Sequence, residues 1–524
     1  MSAPGVMAGG KSRDCSPCLR ETLLALLIAG IFLGISAVIA TRSPTVYDDE
    51  LQYGDPGANL ALGHGFISTF WGQPSGVFWT GNTPLYPAAM GLWLKVFGFG
   101  FFQARILNSV LTAIGGILVW AGLRKSNLVQ RPALRLLSLA LVLSGSVSTL
   151  TFRTIRPDAT MFVLCALVFF GCCQPARVHW RVIVVAIAAV LLPASGIAML
   201  PYAAVLMALM LVIYGAPFLK WSLLISAAML AGVSGLAIFY AHFSSLQSFL
   251  KEVLPFISIR WDGSSHVGLL HAKTFGAGAG SDNFLTCFFG NPLETLDQRT
   301  LFDHSAALLF LAVCGLGVSG WKKASGGDRK FFVLSVLVTL LVPPTLHFAG
   351  HYRSYYRWMT YIPLCIAAPK LFELHSKAGG APWVRKVAGV MAAVAILMGV
   401  PLRTGVAVLG WEQRSIVPLE RACASAVRAD DRVICNYKAY FALRARVSLL
   451  YAIGLSAHGD FNAVADLPTN QISLLCLQPG ELEVVTNRIG GQWRKVSLEN
   501  PDMARELART RYAIDFYRRV DTGR

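Results

Sequence analysis

The chain has 524 residues and a formal net charge of +18, with 55% hydrophobic and 14% charged residues and a mean hydropathy of +0.55. Soluble domains carry about 25% charged residues, so this composition excludes an ordinary soluble enzyme. No basic stripe interleaved with aromatics occurs, and no nucleic-acid partner is expected. Short basic loops between apolar segments are what the positive-inside rule predicts.

The first apolar stretch, Thr22–Ala40, follows Lys11, Arg13 and Arg20 and precedes Thr-Arg-Ser-Pro. It is long for a signal-peptide core and lacks a small-residue cleavage site, so it reads as a retained span. Further windows approach or exceed the roughly 18 apolar residues needed to cross a bilayer. They are Leu107–Leu123, Leu136–Leu150, Met161–Cys173, Val182–Leu192, Ile197–Tyr214, Leu223–Phe243, Ala306–Gly320, Phe331–Leu341, Ile362–Leu371 and Val387–Val400. Basic residues separate the second span from the third (Arg124, Lys125, Arg131, Arg135), the fourth from the fifth (Arg177, Arg181) and the sixth from the seventh (Lys220). They also separate the eighth from the ninth (Lys322, Lys323, Arg329, Lys330) and the tenth from the eleventh (Lys377, Arg385, Lys386). The alternation predicts a polytopic α-helical membrane protein of about eleven transmembrane helices, with the N-terminus inside and the C-terminus outside.

Around these spans the chain divides into a cytoplasmic tail, 1–20, a transmembrane domain, 21–402, with outward loops 41–84 and 244–300, and an extracytoplasmic α/β domain, 403–524. Leu85–Phe99 reads as an amphipathic piece at the outer interface. In the last region hydropathy falls and charges mix. Asp431–Tyr437, Val447–Ile453, Gln471–Leu477 and Tyr512–Val520 read as strands, and Ile416–Arg428 and Pro501–Arg509 as helices. Cys287, Cys423, Cys435 and Cys476 fall on the outward side, where a disulfide is permitted. The lone C-x-x-C at Cys15 and Cys18 is weak as a metal motif.

Three clusters could carry chemistry. Asp48, Asp49 and Glu50 lie about ten residues beyond the first span. An outward carboxylate there can accept a proton from an incoming hydroxyl or amine, or hold a metal ion. On spacing alone, solvated acids capping a helix start are the commoner explanation. Asp158, in Arg156-Pro157-Asp158, opens the fourth span. Pro and an acid suit a first helical turn, yet ionisable residues at span ends tend to face polar cavities. His347, His351, Tyr352, Arg353, Tyr355, Tyr356 and Arg357 lie on the outer side, where Arg and Tyr can bind a phosphate; the alternative is an aromatic belt with interfacial cations.

The run Tyr47-Asp-Asp-Glu-Leu-Gln-Tyr53, with Ala58–Gly63 and Gly65-Phe66, resembles the opening loop of GT-C membrane glycosyltransferases. The branch is that of protein O-mannosyltransferases and lipid A aminoarabinose transferases. Asn82-Thr-Pro-Leu-Tyr86-Pro running to Lys95–Gly98, Arg105, Arg156-Pro-Asp158 and the Arg/Tyr cluster before Pro363 are similar to further segments of that family. The resemblance implies transfer of a sugar from a polyprenyl-phosphate donor to a lipid, glycan or protein acceptor on the outer face of a bacterial inner membrane. It implies Asp49, Asp158 and Glu50 as catalytic residues. Asp48, Tyr53, Tyr86, Arg105, Arg353, Tyr356 and Arg357 would bind substrate, and a divalent metal is an open option. Thr83 departs from relatives that carry Lys there. A transporter or flippase of lipid-linked glycans and a non-catalytic assembly protein are the alternatives. The absence of an internal repeat weighs against the transporter.

Overall fold

The computed structural model describes residues 16–47, 49–70, 84–175, 178–243, 246, 305–348, 354–455, 461–462, 466–498 and 500–520. Its helices begin with α1 (Ser16–Ile39), α2 (Asp49–Ala61), α3 (Leu85–Phe97), α4 (Phe101–Ser126), α5 (Pro132–Ser144) and α6 (Ser146–Leu150). They continue with α7 (Asp158–Cys172), α8 (Trp180–Ser195), α9 (Met199–Tyr214), α10 (Ala216–His242) and α11 (Ser305–Gly320). Then come α12 (Gly326–Phe348), α13 (Trp358–Lys377), α14 (Pro382–Leu397), α15 (Val400–Leu409) and α16 (Val417–Ala426).

Each apolar window is helical, and two of them, Leu136–Leu150 and Val387–Val400, run across a break between two helices. Among the described residues six helical segments are long and apolar enough to cross a membrane, and α3, α5, α7, α8 and α9 are shorter apolar helices. Helix α13 carries Lys370, Glu373 and Lys377 and is nevertheless mostly buried, packed against α5, α11 and α12. The window Leu136–Leu150 is broken into α5 and α6 at Gly145. The Tyr361 ring occupies the space a Cβ would need there, and the Tyr361 hydroxyl donates to the Leu141 carbonyl at 2.8 Å. Helix α3 is amphipathic as expected. Tyr86, Met90 and Leu94 are buried, whereas Leu92, Val96 and Phe97 are exposed.

Two ion pairs join the first helices to the bundle at its opposite ends. Near the start of α1, Glu21 takes both Arg135 Nε at 2.7 Å and Nη2 at 2.5 Å, with the Trp120 indole N–H at 3.0 Å. Near the start of α2, Glu50 takes Arg105 Nε at 3.0 Å and Nη2 at 2.5 Å. All of these side chains lie in the protein interior, where a charge is tolerated only when paired and hydrogen-bonded.

The C-terminal region is a six-stranded sheet of β1 (Arg432–Asn436), β2 (Leu449–Leu455), β3 (Phe461–Asn462), β4 (Leu474–Leu477), β5 (Trp493–Lys495) and β6 (Asp515–Arg519). The strand order is β3-β2-β1-β4-β6-β5. Strand β1 runs parallel to β2 and β4, with Ile434 opposite Tyr451 and Leu475, while β6 is antiparallel to β4 and β5. Each of the four expected strand segments contains a strand. The short β3 and β5 and the helix α17 (Leu482–Ile489) were not anticipated; the helix α18 (Pro501–Ala508) was.

Alternation along β1 explains how the sheet is covered on both faces. Ile434 packs with Tyr451, Leu475, Val485 and Ile489 on the α17 side. Val433 and Cys435 face the other way and share one core with Leu51, Tyr86 and Phe101 of α2, α3 and α4. The domain is therefore seated directly on α2, α3 and the start of α4. Cys423, Cys435 and Cys476 are free thiols buried in that core. They act as small apolar residues, so the option of a disulfide among them is not realised; Cys287 lies outside the described residues.

Candidate active site

The site grows from the junction of α2 and the loop before α7. Asp49 is the first residue of α2, where a carboxylate suits the helix dipole. Pro157 caps α7, and Asp158 begins it. The intervening loop is pinned from two sides. Glu50 Oε2 accepts the Ile155 backbone N–H at 2.9 Å. Asn108 of α4 donates through Nδ2 to the Arg156 carbonyl at 2.9 Å and also to that of Thr154.

The pinned loop delivers the Arg156 guanidinium between two carboxylates. Arg156 Nη1 donates to Asp49 Oδ2 at 2.7 Å, and its Nε donates to Asp158 Oδ2 at 3.0 Å. The second oxygen of Asp158 accepts the indole N–H of Trp358 at 3.0 Å. Tyr53, one helical turn beyond Asp49, places its ring 5.6 Å from the Arg156 guanidinium carbon. The Asp158 side chain is completely enclosed, whereas that of Asp49 is 26% exposed. Of these two carboxylates, Asp49 is the one that an incoming molecule can touch.

The structure thus brings Asp49, Asp158 and Tyr53 together around Arg156. It places Tyr356 and Arg357 directly before Trp358, in the short 3-10 turn that leads into α13, with Arg357 buried. Three further expected site residues are engaged or buried within the protein. Glu50 is sealed from solvent, with its oxygens taken by Arg105 and Ile155. Arg105 uses its remaining donor, Nη1, on the carbonyls of Ala40 at 2.9 Å and Pro44 at 2.6 Å. Tyr86 is fully buried in the core shared with the sheet. Glu50 and Arg105 therefore hold the loop, and Tyr86 packs it. Asp48, Thr83 and Arg353 lie outside the described residues, as do residues 247–304, which hold most of the segment 244–300 expected as an outward loop.

Sequence reasoning passed over Arg156, Asn108 and Trp358 as site residues. Arg156 was legible from the triplet it shares with Asp158. Trp358 was hidden in a run read for its Arg and Tyr content.

A second buried network fastens α2 farther along. Asp55 accepts from Asn59 Nδ2 at 3.0 Å, Ser68 Oγ at 3.0 Å, Thr69 N at 2.5 Å and Thr69 Oγ1 at 3.0 Å. It also accepts from the Tyr440 hydroxyl of the C-terminal domain at 2.6 Å. Arg444 Nε donates to Asn59 Oδ1 at 2.8 Å. The helix that presents Asp49 is thereby held by the membrane bundle at one end and by the sheet domain at the other. Burial pushes the Tyr440 hydroxyl well above its usual range, and Asp55 adds to the shift, so it remains a proton donor to Asp55.

No protein-family model matches the sequence, and no curated protein matches it. Among solved structures the chain is similar to ArnT from Cupriavidus metallidurans in its apo state, with a TM-score of 0.59 at 12% identity, covering 95% of this chain and 98% of that one. It is likewise similar to the same protein bound to undecaprenyl phosphate, with a TM-score of 0.56 at 11% identity, covering 97% and 99%. The fold is the GT-C fold. The likeness spans nearly the whole length of both proteins.

A divalent metal fits these residues poorly. Among the described residues no three or more His, Cys, Asp or Glu side chains group as ligands. Asp49 and Asp158 are already bridged by a guanidinium, so a metal would have to displace Arg156 to join them.

Proposed function

We propose that the chain is a glycosyltransferase that moves a sugar from a polyprenyl-phosphate donor to a hydroxyl or amine acceptor at the outer face of the membrane. The observation that carries this reading is the partly exposed Asp49 carboxylate, fixed by Arg156 and backed by the enclosed Asp158, at the head of the first loop of a GT-C fold. The binding of undecaprenyl phosphate by ArnT supports a lipid-phosphate donor.

In this reading Asp49 takes the proton of the acceptor X–H as X bonds to the anomeric carbon. The bond between that carbon and the phosphate oxygen breaks, and the lipid phosphate leaves with the electron pair. General-base assistance of this kind contributes about 10²–10⁴-fold. Arg156 keeps Asp49 in place, Asp158 and Trp358 keep Arg156 in place, and Tyr53 packs against the guanidinium. Arg357, with Arg353, supplies cationic donors to the departing phosphate, where a preorganised guanidinium acts most strongly. The enclosed Asp158 acts through Arg156 and is a positioning residue.

The test supplies purified protein with polyprenyl-phosphate sugars and a panel of lipid, glycan and peptide acceptors. The expected result is free polyprenyl phosphate formed in step with a glycosylated acceptor. Movement of intact donor across vesicles without any cleavage would overturn the proposal in favour of a flippase.

A further inference from the structure

Helix α13 connects two polar regions. Its first residue, Trp358, touches Asp158. His375, near its other end, lies roughly 25 Å farther along at 1.5 Å per residue, so it belongs to the opposite face of the bundle. There the ends of α11 and α13, the start of α12 and the turn between α11 and α12 enclose a cavity of about 290 Å³. That volume is near the lower limit of small-molecule sites, about 300 Å³, and suits a headgroup rather than a whole lipid.

The lining divides by chemistry. Leu316, Phe332, Leu371 and Leu374 form an apolar wall, while Lys323 and Arg329 supply two cations beside the carboxylate of Asp328; the third cation of the lining, Lys377, is paired with Glu373 at 2.8 Å. Lys323 Nζ spends one donor on the Ala378 carbonyl at 2.9 Å, and an ammonium has three. Arg329 Nε is anchored to the Trp321 carbonyl at 3.1 Å and its guanidinium lies over the Trp321 ring. Asp328 is engaged by the Ser325 hydroxyl at 2.6 Å and faces Lys370 at 3.9 Å. His375 is 1% exposed, lines the cavity, and neither of its ring nitrogens has a hydrogen-bond partner. A buried polar group left in that condition is destabilising, and a ligand with acceptor oxygens would relieve it.

We propose that this cavity is a second lipid-phosphate site, on the membrane face opposite Asp49. It takes the phosphate of an anionic lipid with Lys323, Arg329 and His375 and lays the first part of the lipid chain along the Leu316–Phe332–Leu371–Leu374 wall. The phosphate chemistry is shared by an anionic glycerophospholipid and a polyprenyl phosphate. The proposal does not depend on glycosyl transfer, since its readout is binding.

The experiment uses the full-length protein, delipidated in detergent, and native mass spectrometry with phosphatidylglycerol, polyprenyl phosphate and, as control, phosphatidylcholine. Wild type should bind at least one of the two anionic lipids about tenfold more tightly than phosphatidylcholine. R329Q and the double variant K323Q/R329Q should lose most of that preference, consistent with the worth of basic residues at a lipid surface, while D49N should retain it. H375F, which fills the ring's place without its nitrogens, should weaken binding as well. Phosphatidylglycerol displacing polyprenyl phosphate would mark the glycerophospholipid as the ligand, and the reverse would mark the polyprenyl lipid. Unchanged phosphatidylglycerol binding together with an unchanged number of bound polyprenyl phosphates in folded R329Q and K323Q/R329Q would overturn the proposal.

Discussion

Arg156 donates to Asp49 at 2.7 Å from Nη1 and to Asp158 at 3.0 Å from Nε. One guanidinium thus sets the position of both carboxylates, and its planar fork is what allows it to do so.

Arg156→Lys should keep the charge and lose the two-sided grip. We expect the purified variant to fold, with kcat reduced about 10–100-fold and a smaller change in KM, because misplacement of a reacting group by about 1 Å can cost 10²-fold. Arg156→Gln should also lower Tm, since it leaves Asp158 buried without its cation, and breaking such a pair costs about 3–5 kcal/mol. Steady-state kinetics beside a thermal unfolding scan separates the two effects. A kcat equal to wild type in Arg156→Lys would refute the positioning role.

Glu50 and Arg105 form an ion pair at 2.5 Å with side-chain exposures of 0% and 1%, as enclosed as that of Asp158 and Arg156. Glu50→Ala should destabilise the protein by about 3–5 kcal/mol by leaving Arg105 buried and unpaired. In a detergent unfolding series, Glu50→Ala should be much less stable than the Glu50→Leu/Arg105→Met double variant, which removes both charges together. Equal stabilities would count against the pair as a structural lock.

Tyr440→Phe removes the hydroxyl that donates to Asp55 at 2.6 Å. Asp55 keeps its bonds from Asn59, Ser68 and Thr69, so the loss should be about 1.5–3 kcal/mol, the worth of a hydrogen bond to a charged group. Hydrogen exchange should rise in α2 and in residues 440–443 together, with the far edge strand β5 little affected. Protection unchanged in α2 would show that the sheet domain does not restrain it.

Acid should loosen the sheet domain through Asp431. Burial works to raise this carboxyl, but the Arg518 guanidinium, the Arg428 backbone N–H and the Ser473 hydroxyl outweigh it and hold it below the usual carboxylate range. A carboxyl lowered on folding contributes stability above its unfolded value, about 3.9, and that contribution is lost as pH falls through the folded value. Between pH 7 and pH 5 the contribution should be constant. Below about pH 4 wild type should lose protection in β1 and β6 faster than Asp431→Asn, as followed by hydrogen exchange.

The membrane fold was legible because its determinants are local. Each apolar window carries its own helical tendency, and the break at Gly145 arises from Tyr361, far along the chain. The strands β1, β2, β4 and β6 were legible as β-branched and aromatic runs. Strands β3 and β5 were not, being only two and three residues long. At the site, Asp49 and Asp158 stood out as acids at span ends. Their joining through Arg156 could not be read, because the Asp49 contact spans 107 positions. Asp55 was missed for the same reason, its Tyr440 partner lying 385 residues away. The pairing of Glu50, expected as catalytic, with Arg105, expected to bind substrate, could not be read either, because it spans 55 positions.

The central claim, that Asp49 is the base in a sugar transfer, is tested most directly by single-turnover transfer from a polyprenyl-phosphate sugar in wild type and Asp49→Asn. The substitution keeps size and helix-start geometry while removing the proton acceptor. The account predicts a rate reduced about 10²–10⁴-fold with donor binding retained. Transfer by Asp49→Asn at the wild-type rate would contradict it.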